Sequence, residues 1–346
     1  MKIDINKILR PNIRDLKPYS SARNEFHGEA SVFLDANENP WNPPYNRYPD
    51  PLQRALKDKI SMLKDIDPDY IFLGNGSDEP IDLLIRAFCE PGIDTIASIT
   101  PSYGMYEVSA DTNNIPCIKV PLKQDFQLDA AALLDAVDEH TKIIFLCSPN
   151  NPSGNLLDRA EVYKVLKYFP GIVVIDEAYI DFASSYSYLR ELVSHTNLVV
   201  LQTLSKAWGV AAIRMGMAFA SPEIIGVLNK IKYPYNINQL TQEYALKVLD
   251  NVSVMQDQLK RILQERERLE KTLSEAPYNF KVYPSEANFL LVEVGDANGV
   301  YKSLTDDGVV VRNRHNVALC AGCLRITIGT PEENNILLNS LKTILS

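Results

Sequence analysis

The chain has 346 residues, and its 35 Lys and Arg against 44 Asp and Glu give a net charge of −9. That length suggests about two domains, and a chain of this size needs no disulfide or metal staple to fold. The acidic balance argues against nucleic acid or an anionic membrane as the main partner, yet leaves room for a small anion held by local arginines.

A hydrophobic fraction of 46% and a charged fraction of 23% are those of an ordinary soluble globular protein. No apolar run approaches the ~20 residues of a membrane span. The start, Met1-Lys2-Ile3-Asp4-Ile5-Asn6-Lys7, lacks the unbroken apolar core of a secretory signal, so the expected location is the cytoplasm. Five cysteines, an odd number, do not make a disulfide framework. Cys320 and Cys323 have C-x-x-C spacing, but a second pair is missing and only His315 stands near. Small apolar residues leading into a strand explain them better than zinc, and no metal is expected.

Residues 1–50 are irregular and rich in Pro, Asn and Tyr, a tract expected to wrap over the body or to reach out as an arm. From Pro51, Leu52, Leu56, Ile60 and Leu63 recur at helical spacing. Short apolar runs then alternate with helical stretches, at 70–73, 95–99, 142–147, 171–175 and 198–201. Runs apolar throughout look like parallel strands covered on both faces. Their alternation with helices predicts an α/β domain with a mainly parallel sheet flanked by helices. Residues 216–220 add one more strand, and 237–274 read as one long, charged helix. Beyond Pro277 the pattern turns α+β, with strands expected at 289–294, 309–312 and 323–328. The expected division is a large domain over 41–262 and a small α+β domain from 263–346 together with 1–40, whose start forms an N-terminal arm.

The unusual polar residues follow the carboxyl ends of the predicted strands. Gly74-Asn75-Gly76-Ser77-Asp78 follows the first run and Pro101-Ser102-Tyr103 the second; Ser148-Pro149-Asn150-Asn151 follows the third. Asp176-Glu177-Ala178-Tyr179 follows the fourth and Thr203-Leu204-Ser205-Lys206 the fifth. In open α/β sheets the ligand crevice lies at those ends, so the five segments are expected to converge on one site. The glycine turn with Ser77 suits an anion at a helix start; a plain β–α turn capped by Asp78 is the alternative. Lys206 ends a buried strand, where desolvation lowers an amine's pKa and suits it to attack an aldehyde; a lysine reaching out to solvent is the alternative. Asp176 ends an apolar strand and wants a cationic partner, for which a protonated pyridine nitrogen would serve; a cap or an ion pair with Arg214 is the alternative.

Taken together, these segments resemble the fold-type-I pyridoxal-phosphate aminotransferases. The resemblance rests on the Ser148–Gly154 segment, on Asp176-Glu177-Ala178-Tyr179, and on Ser205-Lys206 followed eight residues later by Arg214. More narrowly, Ala36-Asn37-Glu38-Asn39-Pro40, Asn46-Arg47-Tyr48-Pro49-Asp50, Pro101-Ser102-Tyr103-Gly104-Met105-Tyr106 and Cys323-Leu324-Arg325-Ile326-Thr327-Ile328-Gly329 are similar to segments of the histidinol-phosphate aminotransferases.

The resemblance implies pyridoxal 5'-phosphate as cofactor. Lys206 would hold it covalently and later shuttle a proton, Asp176 would keep its ring nitrogen protonated, and Tyr179 and Asn151 would bind its phenolic oxygen. Tyr103 would stack on the ring. The phosphate would rest on Gly76, Ser77 and Asp78 with Thr203, Ser205 and Arg214. Tyr48 would reach the neighbouring subunit's phosphate, which implies a homodimer with a shared site. Arg312 and Arg325, helped by Tyr19 and Asn37, would choose the substrates: an amino or oxo phosphate ester, and glutamate or 2-oxoglutarate. The implied activity is amino transfer between histidinol phosphate and 2-oxoglutarate. An aromatic aminotransferase, a threonine-phosphate decarboxylase and a ligand-sensing regulator are the rival expectations. Two residues depart from the family pattern: Ala212, where Gly is common, and Gln202, where Arg is frequent.

Overall fold

A computed structural model of the chain describes residues 4–18 and 31–345. Seven strands form the larger sheet: β1 (Ile71–Asn75), β2 (Thr95–Thr100), β3 (Cys117–Pro121), β4 (Thr141–Cys147), β5 (Ile172–Asp176), β6 (Leu198–Thr203) and β7 (Met215–Ala220). Their order is β1-β7-β6-β5-β4-β2-β3. β3, β2, β4, β5 and β6 pair in parallel, while β7 runs antiparallel to both β6 and β1. Every residue of β5, β6 and β7 is buried, as fully apolar strands covered on two faces should be. One face carries Ile144, Val173 and Val200 into one core, and the other carries Phe145, Val174 and Val199 into a second.

Two strands escaped the sequence reading because they lie at sheet edges and lack a continuous apolar run. They are β3, whose residues are mostly half-exposed, and β8 (Lys281–Tyr283). The second sheet is antiparallel, in the order β10-β11-β9-β8, with β9 at Phe289–Glu293, β10 at Arg312–Asn313 and β11 at Cys323–Thr327. The strand expected over 309–312 pairs only at Arg312 and Asn313. Alternation sorts the faces of this sheet. Leu290, Val292, Leu324 and Ile326 point into their own helix-covered core, whereas Leu291 and Cys323 join the core of the large sheet.

Helices α1 (Ile5–Ile8) and α2 (Pro11–Arg14) open the chain. Ile5 and Leu9 pack beside Ile81, Ile85 and Phe88 of α4 (Asp78–Phe88), which follows α3 (Arg54–Lys64). The Arg10 guanidinium pairs with Glu90 at 3.0 Å. These contacts tie residues 5–14 to the large sheet, whereas the sequence reading grouped 1–40 with the C-terminal residues. The long helix expected over 237–274 is two helices, Gln239–Leu249 and Val252–Ser274. Asn251 leaves the helical region (ψ 48°), and its Nδ2 donates to the Lys247 carbonyl at 2.7 Å, closing the first helix.

Two glycines let the chain pass close to itself beside β1. Gly76 has φ +72°, the left-handed region that glycine enters without strain. A Cβ on Gly216 of β7 would collide with the Gly76 carbonyl and the Ser77 nitrogen. Gly216→Ala is therefore expected to cost about 1–3 kcal/mol of stability by overpacking, measured by urea unfolding. An unchanged midpoint would mean that the Gly76 turn gives way freely.

Candidate active site

The carboxyl ends of β1, β2, β4, β5 and β6 open on one cavity of about 80 Å³. Gly76, Ser77 and Asp78 line one side, and Tyr103 and Asn151 line another. Asp176, Tyr179, Thr203, Ser205, Lys206 and Arg214 complete it. The five segments predicted to converge do converge.

At the glycine turn, Ser77 precedes α4 without making a side-chain cap bond. Asp78 does not cap the helix; its carboxylate accepts from the Tyr103 hydroxyl at 3.1 Å and faces the Arg214 guanidinium at 3.4 Å. The first N–H groups of a helix have no intrahelical acceptor, so this turn offers free donors beside a guanidinium. A Cβ on Gly76 would stand 2.5 Å from Arg214 Nη2, so glycine is needed for that close approach. Thr203 Oγ1 donates to the Met215 carbonyl and accepts from the Ser205 N–H, fixing the chain just before Lys206.

Lys206 does not reach out to solvent. Its ammonium has neither an ion pair nor a hydrogen bond among the described residues, and it lies 5.5 Å from the centre of the Tyr179 ring. Burial lowers its pKa, with help from the Arg325 charge and against the pull of Asp176. Tyr179 is buried, and its ring packs edge-on against Phe289. Neither its hydroxyl nor the Asn151 Nδ2 has a protein partner among the described residues, while Asn151 Oδ1 accepts from Arg325 Nη1 at 2.6 Å. An amine, a phenol and an amide donor thus share one cavity with an anion cradle.

Asp176 is 2% exposed and does not pair with Arg214. Tyr106 Oη donates to its Oδ2 at 2.7 Å, and the Ala178 N–H donates to its Oδ1 at 3.0 Å. Burial pushes this carboxyl up from its ordinary value, and those two donors hold it down. Glu177, next in sequence and also buried, turns the other way. It accepts from the Ser187 hydroxyl, from the Tyr188 N–H at 2.6 Å and from Gln202 Nε2 at 2.9 Å. The unexpected Gln202 is thus a neutral donor to a buried carboxylate.

Not every predicted residue meets this cavity. Arg325 approaches it from β11 through Asn151, and Arg312 stands opposite Arg325 in the β10–β11 register. Asn37 and Tyr48 line a separate surface cavity, where Tyr48 stacks on Tyr235 with centroids 4.5 Å apart. Tyr19 lies outside the described residues.

Residues 25–341 match the family model described as aminotransferase class I and II. A histidinol-phosphate aminotransferase of Parabacteroides distasonis is 66% identical over 341 residues, covering 99% of each chain. One from Bacteroides thetaiotaomicron is 55% identical over 98% of each chain. Among solved structures, the histidinol-phosphate aminotransferase of Clostridium acetobutylicum superposes with a TM-score of 0.80 at 26% identity, covering 87% of this chain and 91% of that one. The Sinorhizobium meliloti enzyme, solved in complex with pyridoxal-5'-phosphate, gives 0.80 at 23% identity, covering 90% and 89%.

Tyr106 lies in a segment that resembles the family, yet the sequence alone assigns it no task. Its one signal was a second tyrosine three residues after Tyr103; Tyr106 lies in the helix Met105–Thr112, and Tyr103 stands just before that helix begins. Tyr106 is buried, stacks on Phe145 at 4.7 Å and meets Tyr103 edge-on. Because burial raises the folded-state value of Asp176, its contribution to stability is fullest at low pH and is lost as the pH rises through that value. Removing the phenol donor raises the value further. Tyr106→Phe should therefore destabilise the protein by about 1.5–3 kcal/mol at neutral pH, and by less near pH 4, where Asp176 is closer to its neutral form. Urea unfolding at the two values checks this; an equal cost at both would mean that the bond does not depend on the charge of Asp176.

Proposed function

The chain belongs to the aminotransferase class I and II family, and on that premise we propose that it is a histidinol-phosphate aminotransferase dependent on pyridoxal 5'-phosphate. It moves an amino group between L-histidinol phosphate and 2-oxoglutarate. The observation that carries this reading is the convergence of three unpartnered polar groups, Lys206 Nζ, Tyr179 Oη and Asn151 Nδ2, on the cavity that holds the Gly76–Asp78 turn and Asp176. The likeness in full-length sequence to enzymes of that name supports the choice of substrate.

The residues fit the cofactor. Free helix-start donors, Ser205 and Arg214 suit its phosphate, Asp176 suits its ring nitrogen, Tyr179 and Asn151 suit its phenolic oxygen, and Tyr103 offers a ring face. When bound, pyridoxal phosphate supplies an aldehyde carbon and an electron sink for charge left on the substrate carbon. The protein does the rest. Asp176, which accepts from Tyr106 and the Ala178 N–H, would hold a proton on the ring nitrogen. Lys206, whose pKa burial lowers, would take the proton from the substrate carbon at Nζ. Arg325, oriented by Asn151, binds an acidic group of the substrate through its fork.

We also propose a homodimer in the cytoplasm. Asn37 and Tyr48 line a surface beside the exposed Tyr45 and Leu240, away from their own chain's Lys206 cavity. Such a face suits a second copy, to whose cofactor phosphate Tyr48 would be lent. Residues 41–262 and 263–346 act as the large and small domains of each copy, with the segment before 41 as an arm.

The test is single-turnover mixing of the holoenzyme, followed through the visible absorbance of the cofactor. Histidinol phosphate should shift that absorbance at once, and 2-oxoglutarate should restore it. No response to histidinol phosphate, with conversion by phenylalanine or release of carbon dioxide from threonine phosphate, would replace this assignment by an aromatic aminotransferase or a decarboxylase.

A further inference from the structure

The small sheet turns one face toward the cavity. Arg325 lies on it, reaching Asn151, and so do Phe289, which packs against Tyr179, and Leu291 and Cys323, which join the large core. Arg312 pairs directly with Arg325, so it shares this face. Two residues farther on is Arg314, whose N–H donates to the Cys323 carbonyl at 2.9 Å, continuing the ladder. Arg314 lies just past the end of β10, and its guanidinium feels the charges of Arg325 and Arg312 beside it.

Three guanidinium groups therefore stand together without a carboxylate. None of Arg312, Arg314 and Arg325 has an ion pair among the described residues. Glu293, on the same face, is occupied by Lys281 at 3.2 Å and by the Tyr283 hydroxyl at 3.0 Å. The Nε atoms of both Arg314 and Arg325 are buried with no partner. Arg312 is exposed to solvent, but buried donors left unmade on Arg314 and Arg325 are costly and like charges side by side repel, so a bound anion would relieve the arrangement.

We propose that Arg314 is a third arm of the substrate anion site, matching the cluster to a doubly charged phosphate monoester rather than to a single carboxylate. The inference rests on the activity proposed above, and it adds a residue to which the sequence reading gave no role. A phosphate presents three acceptor oxygens and close to two charges at neutral pH, more than one guanidinium fork satisfies. Burial and the nearby Arg325 and Arg312 charges pull the Arg314 pKa down to about 10. A bound anion would reverse that destabilisation. Arg314 also counts, after Arg325, among the positive charges felt by the Tyr179 hydroxyl, so the cluster faces the reacting end of the cavity.

The experiment compares holoenzyme with Arg314→Gln and Arg314→Lys in two arms. In steady-state turnover, Arg314→Gln should raise KM for histidinol phosphate about tenfold or more, while KM for glutamate moves less than about twofold. Arg314→Lys, which keeps the charge and loses the fork, should fall between them. In the second arm, inorganic phosphate is titrated calorimetrically into the same holoenzymes, and Arg314→Gln should bind it about tenfold more weakly than the parent. This arm needs no turnover: a parent enzyme inert to histidinol phosphate sinks the substrate assignment, and the titration still decides on Arg314. Equal losses for both substrates, or phosphate binding unchanged in Arg314→Gln, would overturn the proposal. If Arg314→Gln does not fold, Arg314→Lys carries the comparison, and phosphate binding equal to the parent's is then the contrary result.

Discussion

Asp176 is an acidic residue at the end of an otherwise apolar, fully buried strand, and the site is built around the bonds that hold it there. An isolated carboxylate in such a place would take up a proton rather than remain ionised. Two donors oppose that here: a phenol stacked on Phe145, and the N–H of the next turn. Their positions follow from the sheet, because β4 and β5 pair so that Cys147 stands beside Asp176 and the segments after both strands turn into one crevice. The half-buried Lys206 then faces this charge across the cavity without pairing with it, which leaves both groups available for chemistry.

Glu177 shows the same problem solved for a structural purpose. It points away from the cavity and gathers Ser187, the Tyr188 N–H and Gln202 around itself, pinning the segment after β5 to β6. With Gln202 as donor, the carboxylate has hydrogen bonds and no ion pair among the described residues, with Lys64 acting on it only through its charge, and Gln202 Oε1 is left buried without a partner among them. Two neighbouring acidic residues thus serve opposite faces of one strand end, one toward the reaction and one toward the scaffold.

Much of this was legible in the sequence. β5 and β6 stand out because burial on two faces writes itself as an unbroken apolar run, and the site residues stand out because they trail those runs. The direction of β7 was not legible, since an antiparallel strand buried on both faces has the same local pattern as a parallel one. The edges β3 and β8 lack the apolar run altogether. Tyr106 was missed for another reason: its partner lies 70 residues away, and only the fold brings them together. Arg314 needed the register of the small sheet before it could be placed beside Arg312 and Arg325.

Burial alone does not make a lysine reactive toward the cofactor. Burial also lowers Lys57 and Lys232 to about 8, but Lys232 donates to the carbonyls of Pro51, Tyr233 and Pro234 and is tied down as a clamp. Lys206 differs from Lys232 in having no such bonds, and from both in facing an anion cradle. The direct measurement is to load the protein with pyridoxal phosphate, reduce it with borohydride and map the modified peptide by mass spectrometry. The label should sit on Lys206 within Ser205-Lys206-Ala207-Trp208; a label on Lys57, Lys232 or any other lysine would contradict the account.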